Sequence, residues 1–181
     1  MENNRPKRAE TSDIANAVLD GTDAVMLSGE TTTGKFPSET VKYMADICEE
    51  AEKHLDYLIN IESTSTDVAG AIAASVVETS NLLDAKLIVA ATMSGLTARL
   101  ISNLRPRSLI LASTPSEKVA RSLALNAGVY PVLTNEYNST DEIVEDSIVK
   151  SKEFTNIVKD DLLIITGGFP NNAKTTNFMK I

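Results

Sequence analysis

Length, composition and charge already exclude several classes of protein. The chain has 181 residues, of which 43% are hydrophobic, so it can bury a sizeable core as one domain plus a fragment or as two small domains. Its formal net charge of −8 argues against a nucleic-acid-binding surface. No apolar run approaches the roughly 18–20 residues of a membrane span, and the single cysteine, Cys48, favours a reducing compartment. We therefore expect a cytoplasmic protein that binds neither nucleic acid nor membrane.

The first sixty residues predict a helix, a strand and a second helix. The helix covers Arg8–Asp20 and has Gly21 as its stop signal. The apolar run Ala24–Leu27 predicts a short buried strand, and Pro37 is the residue type best suited to begin the next helix. One strand between two helices cannot make a sheet. We therefore expect residues 1–60 to be part of a larger domain and the chain to be cut from a longer one.

A polar stretch over residues 60–66 marks a domain junction, and we place a second domain at residues 61–181. After a long Ala-rich helix, strands and helices alternate. The predicted helices are Asp67–Leu83, Gly95–Leu104, 116–128 and 139–154, and the predicted strands are Leu87–Thr92, Ser108–Ser113, Val129–Thr134 and Asp161–Gly167, with a last strand within 175–181. This alternation predicts a three-layer α/β/α domain around a mostly parallel sheet.

The apolar pattern of these strands indicates where they lie in the sheet. Continuous apolar runs such as "LIVAA" predict strands that are buried on both faces, as in parallel sheets. Pro131, inside "VYPVL", lacks an N–H group for a ladder hydrogen bond. We therefore expect that strand at or near an edge of the sheet.

Two loops follow strands of this sheet and are candidates for binding an anion. Ligands of open α/β sheets bind at the carboxyl ends of strands, and anions favour helix N-termini. The first loop, "TMSGLTAR", offers hydroxyls, a glycine and free helix N–H groups; its candidate residues are Thr92, Ser94, Gly95 and Thr97. The second loop, "TGGFPNNAKTTN", offers Lys174. The alternative for the first loop is a capped tight turn, in which Ser and Gly are favoured anyway.

The loop after the first predicted strand carries a different chemistry. Ser28 and Glu30 lie two residues apart beyond that strand, so both can face one cavity. A carboxylate beside a hydroxyl can relay a proton or order a water molecule. The sequence has one histidine and no Cys/His cluster, so we predict no metal site and too few parts for a freestanding enzyme.

The stretch "RPKRAETSDIANAVLDGTDAVMLSGETTTGKFPSETVKYMADICEEAE" resembles the end of the (β/α)8 barrel of the pyruvate kinase family. The rest of the chain resembles that family's C-terminal domain, through the TxSGxTAR loop and the TTN before the last strand. The resemblance implies phosphoryl transfer from phosphoenolpyruvate to ADP with Mg²⁺ and K⁺. The family's ligands for these ions belong to the sequence upstream of this region. We therefore expect the fragment itself to bind no cofactor. The resemblance also implies that Ser28 and Glu30 assist protonation of the enolpyruvate and that Arg8 lies near a subunit interface. Lys7 stands where the family motif has Thr.

The same resemblance implies a homotetramer with an allosteric site in the C-terminal domain, occupied by a phosphorylated sugar or nucleotide. The family loop that binds fructose 1,6-bisphosphate is TxSGRT or TxSGRS. Thr92, Ser94, Gly95 and Thr97 match this loop, whereas Leu96 replaces the arginine and removes one charge-assisted contact. The last loop lacks the usual glycines and places Lys174 before the threonines.

Three functional hypotheses follow. The leading one is the C-terminal part of a glycolytic pyruvate kinase, regulatory and oligomerising, and inactive alone. The second is a stand-alone α/β module that binds a phosphorylated metabolite. The third is a purely structural oligomerisation domain whose loops bind nothing.

Overall fold

A computed structural model describes residues 5–55, 67–169 and 176–181 of the chain. The chain divides into two compact units, Met1–Asp56 and Tyr57–Ile181. In the part of the chain that the structure describes, every helix is too short or too polar to cross a membrane.

The first unit is helical throughout its regular structure. Helix α1 spans Arg8–Leu19, the short helix α2 spans Gly29–Thr32, and α3 spans Pro37–Glu52. Pro37 begins α3 as predicted, because its fixed φ and missing N–H suit the first turn of a helix. Helix α1 packs against α3, while α2, a single turn that the sequence pattern did not predict, packs against the same helix.

The predicted strand at Ala24–Leu27 is wrong. This segment forms neither helix nor strand, and the side chain of Met26 is 85% exposed instead of buried. A strand needs a neighbour to receive its backbone hydrogen bonds, and residues 5–55 contain no other strand. The apolar run is therefore present without the sheet that would bury it.

The second unit contains the predicted mostly parallel sheet. Its helices are α4 (Val68–Leu83), α5 (Leu96–Asn103), α6 (Glu117–Leu123) and α7 (Thr140–Phe154), and its strands are β1 (Leu87–Ala91), β2 (Leu109–Thr114), β3 (Val129–Leu133), β4 (Leu163–Gly167) and β5 (Phe178–Lys180). The strand order is β3-β2-β1-β4-β5. The strands β1 to β4 pair in parallel, and β5 adds to β4 in the antiparallel sense.

Helices cover both faces of the sheet, which confirms the three-layer prediction. On one face α4, α5 and α6 bury Val76, Ile101 and Leu123 against the even-numbered apolar residues of β1 and β2. On the other face α7 buries Ile143 against Leu111 and its neighbours. The order of the strands explains why the helices are divided between the two faces. The chain adds β2 and β3 on one side of β1 and then crosses to the other side of β1 to add β4.

Two further predictions about the sheet region can be compared with the structure. Strand β3 lies at the edge of the sheet, so the position predicted for Pro131 is confirmed. The helix predicted over 116–128 is too long, because α6 ends at Leu123. Leu125, which the longer helix would have carried, is 69% exposed, so no apolar face extends the helix beyond that point.

We predict that the central strands hold most of the stability of the second unit. Leu111→Ala removes a side chain that is 2% exposed and should lower the free energy of unfolding by about 2–5 kcal/mol, through lost burial and the cavity left behind. The matched control is Leu82→Ala on α4, where the side chain is 82% exposed and the change should stay within about 0.5 kcal/mol. Urea unfolding followed by circular dichroism measures both; equal losses would contradict the prediction.

Candidate functional site

The candidate site of the second unit lies at the carboxyl ends of β1 and β4. Strand β1 pairs with β2 on one side and with β4 on the other. The loop after β1 therefore leads to α5 and β2, whereas the loop after β4 leads to β5 at the opposite edge. The two loops predicted to share a ligand leave the sheet from neighbouring strands at one edge.

The loop after β1 is a tight turn built around Gly95. The Gly95 N–H donates to Oγ1 of Thr92 over 2.9 Å, and the φ angle of Gly95 is +84°, in the left-handed region. A Cβ added here would lie 3.1 Å from the Arg99 guanidinium and 3.2 Å from both Val119 and Leu123. The left-handed backbone conformation therefore favours glycine, and a side chain here would also displace these three neighbours by a few tenths of an ångström.

A hydroxyl pair joins the loops that follow β1 and β4. Oγ1 of Thr97, in the first turn of α5, lies 2.6 Å from Oγ1 of Thr176, and both residues are at most 5% exposed. Next to this pair, the Asn177 side chain donates to the Phe169 carbonyl over 2.8 Å and accepts from the Phe169 N–H over 3.2 Å. These contacts fix the two ends of the second loop against each other and against α5.

The sheet edge thus brings together Thr92, Ser94, Gly95 and Thr97 as the sequence predicted, but it uses their hydroxyls differently. The hydroxyl of Thr92 accepts the Gly95 N–H, and the hydroxyl of Thr97 is paired with Thr176. Ser94 is half-buried. Lys174 lies outside the described residues. The candidate donors to an anion are the Ser94 hydroxyl, the backbone N–H groups in the first turn of α5 and the Thr92 hydroxyl, which accepts the Gly95 N–H and keeps its own O–H.

Arg99 contacts this turn, although no pattern in the sequence indicated it. Its Nη1 donates to the Ser94 carbonyl over 3.1 Å, and its Nη2 donates to Oγ of Ser122 on α6 over 2.9 Å. The sequence contains Arg99 at the end of the "TMSGLTAR" loop motif, but its second contact depends on a residue 23 positions away. The guanidinium therefore connects the turn to α6.

In the first unit, the carboxylate of Glu30 is turned onto the backbone rather than toward the Ser28 hydroxyl. Its Oε2 accepts the Ser28 N–H over 3.0 Å. Hydrogen bonds from the backbone N–H groups of Glu30 itself and of Ser28 lower the pKa of this carboxyl, so it is ionised at neutral pH. As an ionised group with a lowered pKa, it is suited to accept hydrogen bonds and is a weaker base than an ordinary glutamate.

Glu30 also lines a cavity of about 330 Å³, together with Phe36 and Met44. Ser28 is exposed and does not line this cavity, and the expectation that both side chains face one cavity stays a prediction. Arg8 is exposed at the first residue of α1. Within residues 5–55, 67–169 and 176–181, no three His, Cys, Asp or Glu side chains lie together in a way that could hold a metal ion.

Comparison with protein families assigns both units. A family model described as "Pyruvate kinase, alpha/beta domain" matches residues 70–181, which is more than half of the chain. The chain belongs to the pyruvate kinase family. A second model, described as "Pyruvate kinase, barrel domain", matches residues 1–41. The resemblance inferred from the sequence is therefore confirmed.

Individual pyruvate kinases match the chain over its whole length. The pyruvate kinase of Clostridium acetobutylicum is 43% identical over 100% of this chain and 39% of its own length, and that of Staphylococcus epidermidis is 47% identical over 100% of this chain and 32% of its own length. A crystal structure of a Cryptosporidium parvum pyruvate kinase superposes with a TM-score of 0.87 at 40% identity, covering 99% of this chain and 36% of the other. A second structure, of the Cryptosporidium parvum enzyme in complex with ADP, gives a TM-score of 0.82 at 40% identity over 99% and 37%. The chain thus spans about a third to two-fifths of the pyruvate kinases that it matches.

We predict that the threonine pair of this pyruvate kinase domain is energetically coupled. Thr97→Val should cost about 1–3 kcal/mol of unfolding free energy, because it leaves the buried Thr176 hydroxyl without its partner. Thr176→Val should cost a similar amount, and the double variant should cost clearly less than the sum. Urea unfolding of all four proteins gives the coupling energy.

The control for this cycle is Thr140→Val, at an exposed position in the first turn of α7, which should leave the stability nearly unchanged. If the losses of unfolding free energy in the two single variants add up to the loss in the double variant, the contact between the two hydroxyls does not stabilise the packing of the loops.

Proposed function

We propose that this chain serves as the C-terminal part of a pyruvate kinase, the glycolytic enzyme that transfers a phosphoryl group from phosphoenolpyruvate to ADP. In this proposal residues 1–60 complete the catalytic (β/α)8 barrel, and residues 61–181 form the regulatory and subunit-assembly domain. The matches of the barrel model to residues 1–41 and of the α/β model to residues 70–181 support this division. The complete enzyme works in the cytoplasm as a homotetramer.

The observation that carries the regulatory role is the junction of two loops where the strand order reverses. In open α/β sheets ligands bind in the crevice outside the carboxyl ends of the strands at such a reversal. Here the reversal lies between β1 and β4, and the Thr97–Thr176 contact closes the gap between the loops that follow them. We therefore propose that a phosphorylated effector, a sugar phosphate or a nucleotide, binds at this junction.

The chemistry of the junction suits a phosphate group. The N-terminal turn of α5 directs backbone N–H groups toward the loop, and the partial positive charge of a helix N-terminus favours an anion. Ser94 adds a hydroxyl, while Thr92 and Gly95 hold the turn in the shape that exposes those N–H groups. We include Lys174 as a further phosphate ligand only because its loop resembles the last loop of the pyruvate kinase C-terminal domain. Because Leu96 is apolar, the affinity depends on backbone donors more than on charge.

The first unit contributes the edge of the active site in this proposal. Ser28 and Glu30 assist proton transfer to the enolpyruvate, and the lowered pKa of Glu30 favours a role as an ionised group that orders a water molecule. Arg8, exposed at the start of α1, lies at a subunit interface. Mg²⁺ and K⁺ serve the complete enzyme. In this proposal their ligands belong to other parts of the catalytic barrel.

We predict that phosphate esters stabilise the chain against heat. Fructose 1,6-bisphosphate, glucose 6-phosphate, AMP and inorganic phosphate are compared by thermal shift. A ligand at about 100 times its dissociation constant should raise Tm by about 5–10 °C. Ser94→Ala should reduce the shift, whereas the matched control Ser75→Ala, at an exposed position on α4, should not. No shift with any of the four at about 10 mM would contradict the effector site and favour a purely structural assembly domain.

We also predict that the 181-residue chain has no pyruvate kinase activity by itself. The reason is that the match to the catalytic barrel covers residues 1–41, a small part of a (β/α)8 barrel of about 250 residues. The assay contains phosphoenolpyruvate, ADP, Mg²⁺ and K⁺, with lactate dehydrogenase to detect pyruvate. The Clostridium acetobutylicum enzyme is the positive control. Turnover by the chain would contradict the prediction.

A further inference from the structure

We infer that Arg99 is a positioning residue of the anion site: its guanidinium holds the Ser94–Gly95 turn against α6 and so fixes the N–H groups that face the ligand. The inference rests on the phosphate site proposed above. It adds a residue that contacts the turn forming the site and does not contact the ligand itself.

The contacts of Arg99 join three elements. The residue lies in the first turn of α5, and the side chains of a helix point back toward its N-terminus. Nη1 donates to the Ser94 carbonyl over 3.1 Å, and Nη2 donates to Oγ of Ser122 over 2.9 Å. The Ser122 hydroxyl in turn donates to the Val119 carbonyl over 2.9 Å, so it is itself fixed on α6. A planar fork with two donors thus spans the turn and the neighbouring helix.

Arg99 also closes the space around Gly95. A Cβ at Gly95 would meet the Arg99 guanidinium at 3.1 Å, and Val119 and Leu123 of α6 at 3.2 Å. On another side the Gly95 N–H is held by the Thr92 hydroxyl. The turn is therefore restrained by β1 through Thr92 and by α6 through Arg99, so loss of either restraint should change its conformation.

The positive charge of Arg99 also favours a bound phosphate. Both acceptors that it contacts, the Ser94 carbonyl and the Ser122 hydroxyl, are neutral oxygens. Its positive charge is not cancelled by these contacts, and a half-buried charge is screened less than an exposed one. A phosphate bound at the first turn of α5 therefore lies in a positive potential, although Leu96 contributes no charge.

Three variants separate these contributions. Arg99→Met keeps much of the apolar stem but removes the fork and the charge. Arg99→Lys keeps the charge but not a planar pair of donors on two elements. Ser122→Ala leaves the guanidinium in place and removes its anchor on α6. The matched control is Arg121→Met, which removes the same charge from α6 at a side chain that is 73% exposed and paired with Glu117.

The experiment is a titration of the ¹⁵N-labelled 181-residue chain with inorganic phosphate, followed by the amide shifts of Gly95, Leu96 and Thr97. The affinity is measured on folded protein well below Tm, so a variant that only lowers stability does not change it. We expect Arg99→Met to weaken phosphate binding about tenfold or more, Arg99→Lys and Ser122→Ala about threefold, and Arg121→Met less than twofold.

The outcomes distinguish this inference from the proposed function. If the wild-type amides do not shift with phosphate, the effector site itself is wrong, and the inference falls with it. If the wild-type chain binds phosphate and Arg99→Met binds it within twofold, the site stands and the role of Arg99 is overturned. Should Arg99→Met fail to fold, Ser122→Ala decides, because unchanged affinity in that variant also overturns the role.

Discussion

The pairing of β1 with strands on both sides is the constraint on which the second unit depends. Because β2 and β4 flank β1, the chain has to leave the sheet in one direction and return in the other. Among the described helices of this unit, this reversal places α7 on one face and α4, α5 and α6 on the other, and the carboxyl ends of β1 and β4 lie side by side where ligands of such sheets bind. It also explains how Thr97 and Thr176, 79 residues apart in the chain, come within 2.6 Å of each other.

At the carboxyl ends of β1 and β4, several polar side chains form hydrogen bonds that stabilise the fold. Thr92 shapes the turn, Thr97 and Thr176 join the loops, and Asn177 closes the base of the second loop. The hydroxyls of Thr92 and Thr97 therefore have a structural contact in the fold in addition to any contact with an anion, and backbone N–H groups are available beside them. Arg99 belongs to the same pattern, since it acts on the backbone of the turn.

Much of the second unit could be predicted from the sequence, because its strands are continuous apolar runs and Pro131 indicated an edge. The first unit could not be predicted to the same degree. The run Ala24–Leu27 has the composition of a strand, but pairing depends on other strands, and residues 5–55 provide none. Arg99 was missed for a related reason: its contact with Ser122 depends on how α5 and α6 approach each other, which no local pattern contains.

The proline at the sheet edge has a consequence for self-association. At the two ends of β3, the Gly128 carbonyl and the Thr134 N–H form hydrogen bonds with β2. Residues 129, 131 and 133 alternate with these positions, so their backbone groups point away from β2. The Val129 N–H is already bonded to the Asn126 carbonyl, and Pro131 has no N–H. Two of the three outward positions thus offer no donor to an incoming strand. This edge resists the strand-to-strand addition that begins sheet-mediated aggregation, although Tyr130 and Leu133 leave apolar surface beside it.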